Sequence, residues 1–157
     1  MMKAMKWNLP GKILAATLLS IAPWVVSVAA DTTPAKSDPA WLTDARASIK
    51  SNNYDQALKQ LQSANEVNSA DWNNLMGYSL RKKQPPDLAL SEKYYQAALK
   101  IDPSHRAALE YYGELLLMKK DLPGAEAMLA RLDKACFFSC EEYRDLKASI
   151  AKYQGKK

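Results

Sequence analysis

From about residue 40 onward, apolar residues recur at spacings of three and four, and no stretch alternates as a strand would. The segment "SEKYYQAALKIDP", residues 91 to 103, shows the pattern and is stopped by Asp102-Pro103. Three further stretches, "WLTDARASIKSNN", "DWNNLMGYSLRKK" and "AALEYYGELLLMKK", are also apolar at helical spacing. Each carries a small residue in mid-helix, Ala45, Gly77 and Gly113. A small residue there lets a partner helix approach closely, which offsets the roughly 1 kcal/mol that a mid-helix Gly costs relative to Ala. Punctuation agrees with the periodicity. Asp38-Pro39 and Asp121-Leu122-Pro123 place an acceptor side chain and a proline at helix starts. Pro85-Pro86 and Asp102-Pro103 end helices.

The helices repeat in pairs. Ala57, Ser91 and Ala125 are 34 residues apart, as are Leu61, Tyr95 and Leu129, and Ala64, Ala98 and Leu132. An ordinary six-helix bundle would not be expected to keep one period in three columns across three copies. Ala45 and Gly113 lie twelve residues before Ala57 and Ala125, but Gly77 lies fourteen before Ser91. The middle copy is therefore expected to hold two extra residues in its inner loop, around "QPPDL".

With these matches the chain resembles a tetratricopeptide repeat protein, in three copies of about 38–69, 70–103 and 104–135. The residues that carry the resemblance are Gly77, Gly113, Ala57, Ser91, Ala125, Tyr95, Ala64, Ala98 and Asp102-Pro103. The first copy is weaker, because it lacks the mid-helix Gly and the closing Pro. The resemblance implies an all-α, right-handed helix-pair solenoid whose first helices line a concave face where peptides bind. Projected onto this chain, that face presents Arg46 and Lys50, then Asn74, Tyr78, Arg81 and Lys82, then Glu110, Glu114 and Leu117. The sub-type that clasps a partner's terminal carboxylate needs Lys, Asn and Arg where this chain has Leu42, Ala107 and Tyr111. That clamp is not carried over.

After the repeats, Tyr143, Leu146, Ile150 and Tyr153 form one apolar stripe in "CEEYRDLKASIAKYQ", as expected of a helix that covers the end of a solenoid. Ser139 with Glu142 reads as a capping box starting that helix near Cys140. Residues 136–157 are thus expected to be a corner and a capping helix. Cys136 and Cys140 are the only cysteines. In an exported chain such a pair is expected to be a disulfide. A redox-active pair usually has two intervening residues and here has three, and a metal site would need more ligands than the lone His105 offers.

Export is expected from the start of the chain. Lys3, Lys6 and Lys12 precede or open the apolar run "ILAATLLSIAPWVVSVAA", and no acid appears before Asp31. Val28-Ala29-Ala30 fits signal-peptide cleavage after Ala30. An uncleaved anchor is the competing reading, which Pro23 and the small-residue site oppose. Residues 31–37 form a short lead-in. The whole chain has a net charge of +5, but without residues 1–30 it falls to +2. A near-balanced chain loses the hint of nucleic acid or an anionic membrane as partner.

Chemistry is sparse. One histidine makes no triad, the five glycines do not cluster into a phosphate loop, and Glu110 and Glu114 share a face as solvated acids often do. The sequence predicts no enzyme, no cofactor, no metal and no membrane insertion after cleavage. It predicts a periplasmic scaffold that binds a protein or peptide partner. Two alternatives stay open: a redox-responsive accessory switched by Cys136 and Cys140, and a structural subunit of an envelope assembly.

Overall fold

A computed structural model of the chain describes residues 37–155. The expected signal peptide, its cleavage site and nearly all of the lead-in lie outside the described residues. Within them the chain forms seven helices and no strands: α1 Ala40–Lys50, α2 Tyr54–Ala64, α3 Ala70–Lys82, α4 Leu88–Ile101, α5 Arg106–Met118, α6 Leu122–Ala135 and α7 Glu141–Gln154.

Local chemistry sets most boundaries. Asn53, Ser69, Asp87, His105 and Asp121 each accept a backbone N–H through the side chain at the start of α2 to α6. The Asp102 side chain accepts from the backbone N–H of Ser104, so the turn between α4 and α5 closes on itself. The inner loops of the first and third pairs are residues 51–53 and 119–121, whereas that of the middle pair is 83–87, which holds the two extra residues. Two expected caps are absent. Pro39 is the N-cap of α1 and makes no side-chain cap bond, while Asp38 instead pairs with Arg46 at 2.6 Å. Cys140 is the N-cap of α7 and likewise makes none, so Ser139 and Glu142 do not form a capping box. Cys140 occupies the N-cap position that Ser139 would need, and Glu142 turns to Arg106 at 3.6 Å.

Odd-numbered helices touch their odd neighbours, α1 with α3, α3 with α5 and α5 with α7. The even helices touch only odd ones. The odd layer is therefore the tighter, inner side of a curved stack. Two core clusters lie between the odd and even layers. Leu42, Ala45, Leu58, Leu61, Trp72, Leu75, Met76 and Leu80 pack at one end, and Ala98, Leu99, Leu109, Leu116, Leu132, Leu146 and Ile150 at the other. Trp72 Nε1 donates to the Leu61 carbonyl at 2.7 Å, fastening α3 to the end of α2.

The mid-helix glycines admit neighbours as expected, though not the same neighbour. A Cβ on Gly77 would meet the Tyr95 ring of α4 at 2.8 Å, where Ser91 Oγ donates to the Gly77 carbonyl at 2.7 Å. A Cβ on Gly113 would meet Leu146 of α7 at 2.6 Å. The expectation was an approach by its own repeat partner, α6. The closest approach comes from the capping helix instead, because α7 takes the place the next first helix would occupy. Leu146 and Ile150 are buried and Tyr143 and Tyr153 pack against the same cluster, so the apolar stripe of α7 covers the end of the stack.

Candidate functional site

The inner layer carries a cavity of about 260 Å³ between α1, α3 and α5. Arg46, Ile49 and Lys50 come from α1, Asp71, Asn74, Leu75 and Tyr78 from α3, and Ala107 and Tyr111 from α5. Of the residues projected from sequence, the cavity gathers Arg46, Lys50, Asn74 and Tyr78. Arg81, Lys82, Glu110 and Glu114 do not line it.

Ring stacking shapes one wall. Tyr78 packs against Tyr111 at 4.7 Å between ring centroids and against Tyr54 at 6.3 Å, so α2, α3 and α5 each contribute a tyrosine. Arg81 lies beneath this wall, its guanidinium 5.5 Å from the Tyr78 ring and 5.7 Å from the Tyr111 ring. It is buried and pairs with Glu114 at 2.8 Å. Arg81 and Glu114, both projected on to the concave face from the sequence, pair with each other instead. Lys82 is exposed, with its ammonium 6.0 Å from the outer face of Tyr78.

Glu110 completes the buried set. Burial first, and then the neighbouring Glu114 carboxylate, push its pKa up to about 8. Glu110 thus lies beside the Arg81–Glu114 ion pair, where burial favours its protonated form. Burial likewise raises the Tyr78 and Tyr111 hydroxyls. At the far edge, a hydrogen bond from His105 holds Asp71 below the usual carboxylate range.

Asn74 is the residue with the clearest unmet need. It is 3% exposed, and its Oδ1 has no hydrogen-bond partner among the described residues. A buried acceptor without a donor costs roughly 1–3 kcal/mol. Asn74 is among the residues that line the cavity.

The sequence projection left out Ile49, Asp71 and Leu75, and named Ala107 and Tyr111 only as positions where the carboxylate clamp is not carried over. Helical spacing held the signal. Ile49 follows Arg46 by three, Asp71 precedes Asn74 by three, and Tyr111 precedes Glu114 by three and follows Ala107 by four. Among the described residues no group of three or more His, Cys, Asp or Glu could hold a metal, and no helix is long and apolar enough to cross a membrane.

Residues 87–150 match the tetratricopeptide repeat family model. The matched stretch is less than half of the chain and runs from the cap of α4 through most of α7. No curated protein sequence matches the chain. Among solved structures, the type III secretion translocator chaperone SycD of Yersinia enterocolitica is similar with a TM-score of 0.63 and 16% identity, over 74% of this chain and 82% of its own. SycD in complex with a peptide of the translocator YopD gives 0.59 and 17%, over 74% and 88%. The first tetratricopeptide domain of human RPAP3 gives 0.60 and 13%, over 74% and 94%. Such identities establish the fold: an all-α tetratricopeptide-like solenoid.

Proposed function

We propose that this chain is an exported, non-catalytic binding module whose α1–α3–α5 groove takes an extended segment of another protein. The carrying observation is a side-chain-sized cavity on the inner layer, with Ile49, Leu75, Tyr78 and Tyr111 as its apolar lining, Asn74 beside them, and Arg46, Lys50 and Asp71 as its charged lining. A peptide supplies a side chain for the cavity and an acidic residue for Lys50, and can compete with Asp71 for the half-exposed Arg46. The SycD structure with a translocator peptide supports a peptide as ligand class. A preformed groove leaves most of the ordering cost with the ligand.

Residues 1–30 serve in this proposal as a leader cleaved after Ala30, and the protein works in the periplasm. The disulfide between Cys136 and Cys140 supports an oxidising compartment. One observation favours a redox-responsive role as a second reading: Cys136 ends α6 and Cys140 begins α7, so the bridge joins the two helices at adjacent ends.

Affinity capture from envelope extract tests the groove, with the wild type beside Asn74→Leu and, as a control on the opposite layer, Lys93→Glu. The expected outcome is one enriched protein that Lys93→Glu retains and Asn74→Leu loses at least tenfold. The same Asn74→Leu variant should be more stable to urea by about 1 kcal/mol, since it removes an unmet acceptor. Equal capture by all three sinks the proposal.

A further inference from the structure

The corner between α6 and α7 exposes what a folded chain normally hides. Phe137 is 94% and Phe138 is 82% exposed, and no other Phe, Trp or Tyr among the described residues is exposed. The two rings pack edge to face on each other, with centroids 5.0 Å apart. They sit inside "CFFSC", closed by the Cys136–Cys140 bridge with 5.7 Å between Cα atoms. Both cysteines are helix-end residues. Five residues closed between two helix ends leave too little chain for either ring to fold back on to the core. An outward aromatic pair held this way marks an interaction surface.

A complementary surface lies on the inner layer of the same chain. The cavity of about 260 Å³ is smaller than the roughly 300–1,000 Å³ typical of drug-sized ligands, so its scale is that of a side chain. Ile49, Leu75, Tyr78 and Tyr111 make its apolar lining, and Arg46, Lys50 and Asp71 its charged lining, in which Arg46 pairs with Asp71 at 3.5 Å and Lys50 is exposed. The aromatic pair is followed at the start of α7 by Glu141 and Asp145, both exposed and one helical turn apart. The loop offers aromatic rings with acidic neighbours; the groove offers an apolar lining with two cations, Arg46 and Lys50, against one acid, Asp71.

We infer that the Cys136–Cys140 loop of one copy docks in the α1–α3–α5 groove of a second copy, with Phe137 or Phe138 in the cavity and Glu141 and Asp145 against Arg46 and Lys50. The inference rests on the groove being a binding surface, as proposed above. Loop and groove are different patches, so the contact is head to tail. Each docked copy still carries a free loop or a free groove, and association continues past the dimer unless the geometry closes a ring. The charged rim steers encounter and sets orientation, while the ring supplies the buried contact. An external segment and a second copy would compete for one groove.

Sedimentation velocity over a concentration series, on protein purified after expression of the whole chain, tests this. Wild type should grow in mass with concentration. Phe137→Ser/Phe138→Ser removes the loop contact and Arg46→Glu/Lys50→Glu the groove contact. All four residues are outside the core, and circular dichroism checks that both variants fold. Each variant should weaken self-association at least tenfold. Mixed in equal amounts, the two should recover a heterodimer and nothing larger, because only one competent loop–groove pair remains. A monomeric wild type at every concentration overturns the inference, as does self-association that survives both variants or a mixture that stays monomeric. Monomeric wild type that binds phosphatidylcholine–phosphatidylglycerol vesicles through Phe137 and Phe138 overturns it in favour of a membrane surface. Partner capture through Asn74 by a protein that does not self-associate overturns this inference and leaves the groove proposal standing. Self-association that both variants lose, without capture, supports the inference and keeps the groove as a binding surface while overturning its assignment to another protein's segment.

Discussion

Arg46 and Arg81 both project from the inner layer, one from α1 and the other from α3. Arg46 keeps half its side chain in water and reaches Asp38 and, at 3.5 Å, Asp71. Arg81 keeps 7% and is closed in by Glu114, Tyr78 and Tyr111. The difference follows from place in the stack. α1 has one neighbour in its own layer, whereas α3 lies between α1 and α5 and also packs on α2 and α4. A charge at the end of the array meets its partners in water; the same charge at the centre meets them in the interior.

Arg81→Ala is the strongest way to test that contrast. It strands Glu114 under the tyrosine wall and should cost about 2–3 kcal/mol in urea unfolding, less than the roughly 3–5 kcal/mol of a fully buried pair, since Glu114 retains some water. Arg46→Ala should stay within about 0.5 kcal/mol. Similar costs at both sites would erase the distinction.

Glu110 sharpens it through pH. Its folded pKa, raised from 4.5 to about 8, lies above that of the unfolded chain. Below 4.5 both states hold the proton. As pH rises towards 8 the unfolded state gives it up first, so the folded state loses stability across that window. The urea midpoint should fall from pH 5 to pH 8, and Glu110→Gln should flatten the fall. An unchanged slope in the variant would place Glu110 with the solvated residues.

The smallest effect on stability belongs to Lys50→Glu, within about 0.5 kcal/mol on an exposed helix position. Its effect should appear in capture instead, where retention of an acidic segment should drop and lose its sensitivity to salt. Unchanged retention would mean that the rim charge is idle.

The helices, their pairing and the longer middle loop were legible because each leaves a local mark: a 34-residue period, a mid-helix Gly, a Pro pair. Asp121 was legible as a cap for the same reason. The burial of Arg81 was not, since it depends on α5 passing alongside α3, a contact that no spacing within one helix encodes. Asn74 could be placed on the inner face, yet its missing donor appears only once every neighbour is in position. Ser139 shows the opposite failure. A sound local motif gave way because Cys140 starts the helix and Glu142 finds Arg106.

The buried indole of Trp72, bonded to the Leu61 carbonyl, has an optical consequence. Within residues 37–155 tryptophan occurs only at positions 41 and 72, in α1 and α3. From α4 to α7 the aromatic chromophores are phenylalanine and tyrosine alone. Within these residues, emission excited at the red edge of the absorption band reports from one end of a linear array whose units each contact only their neighbours. The fluorescence of this fold is a local gauge, blind to the capping helix and to the two phenylalanines at its corner.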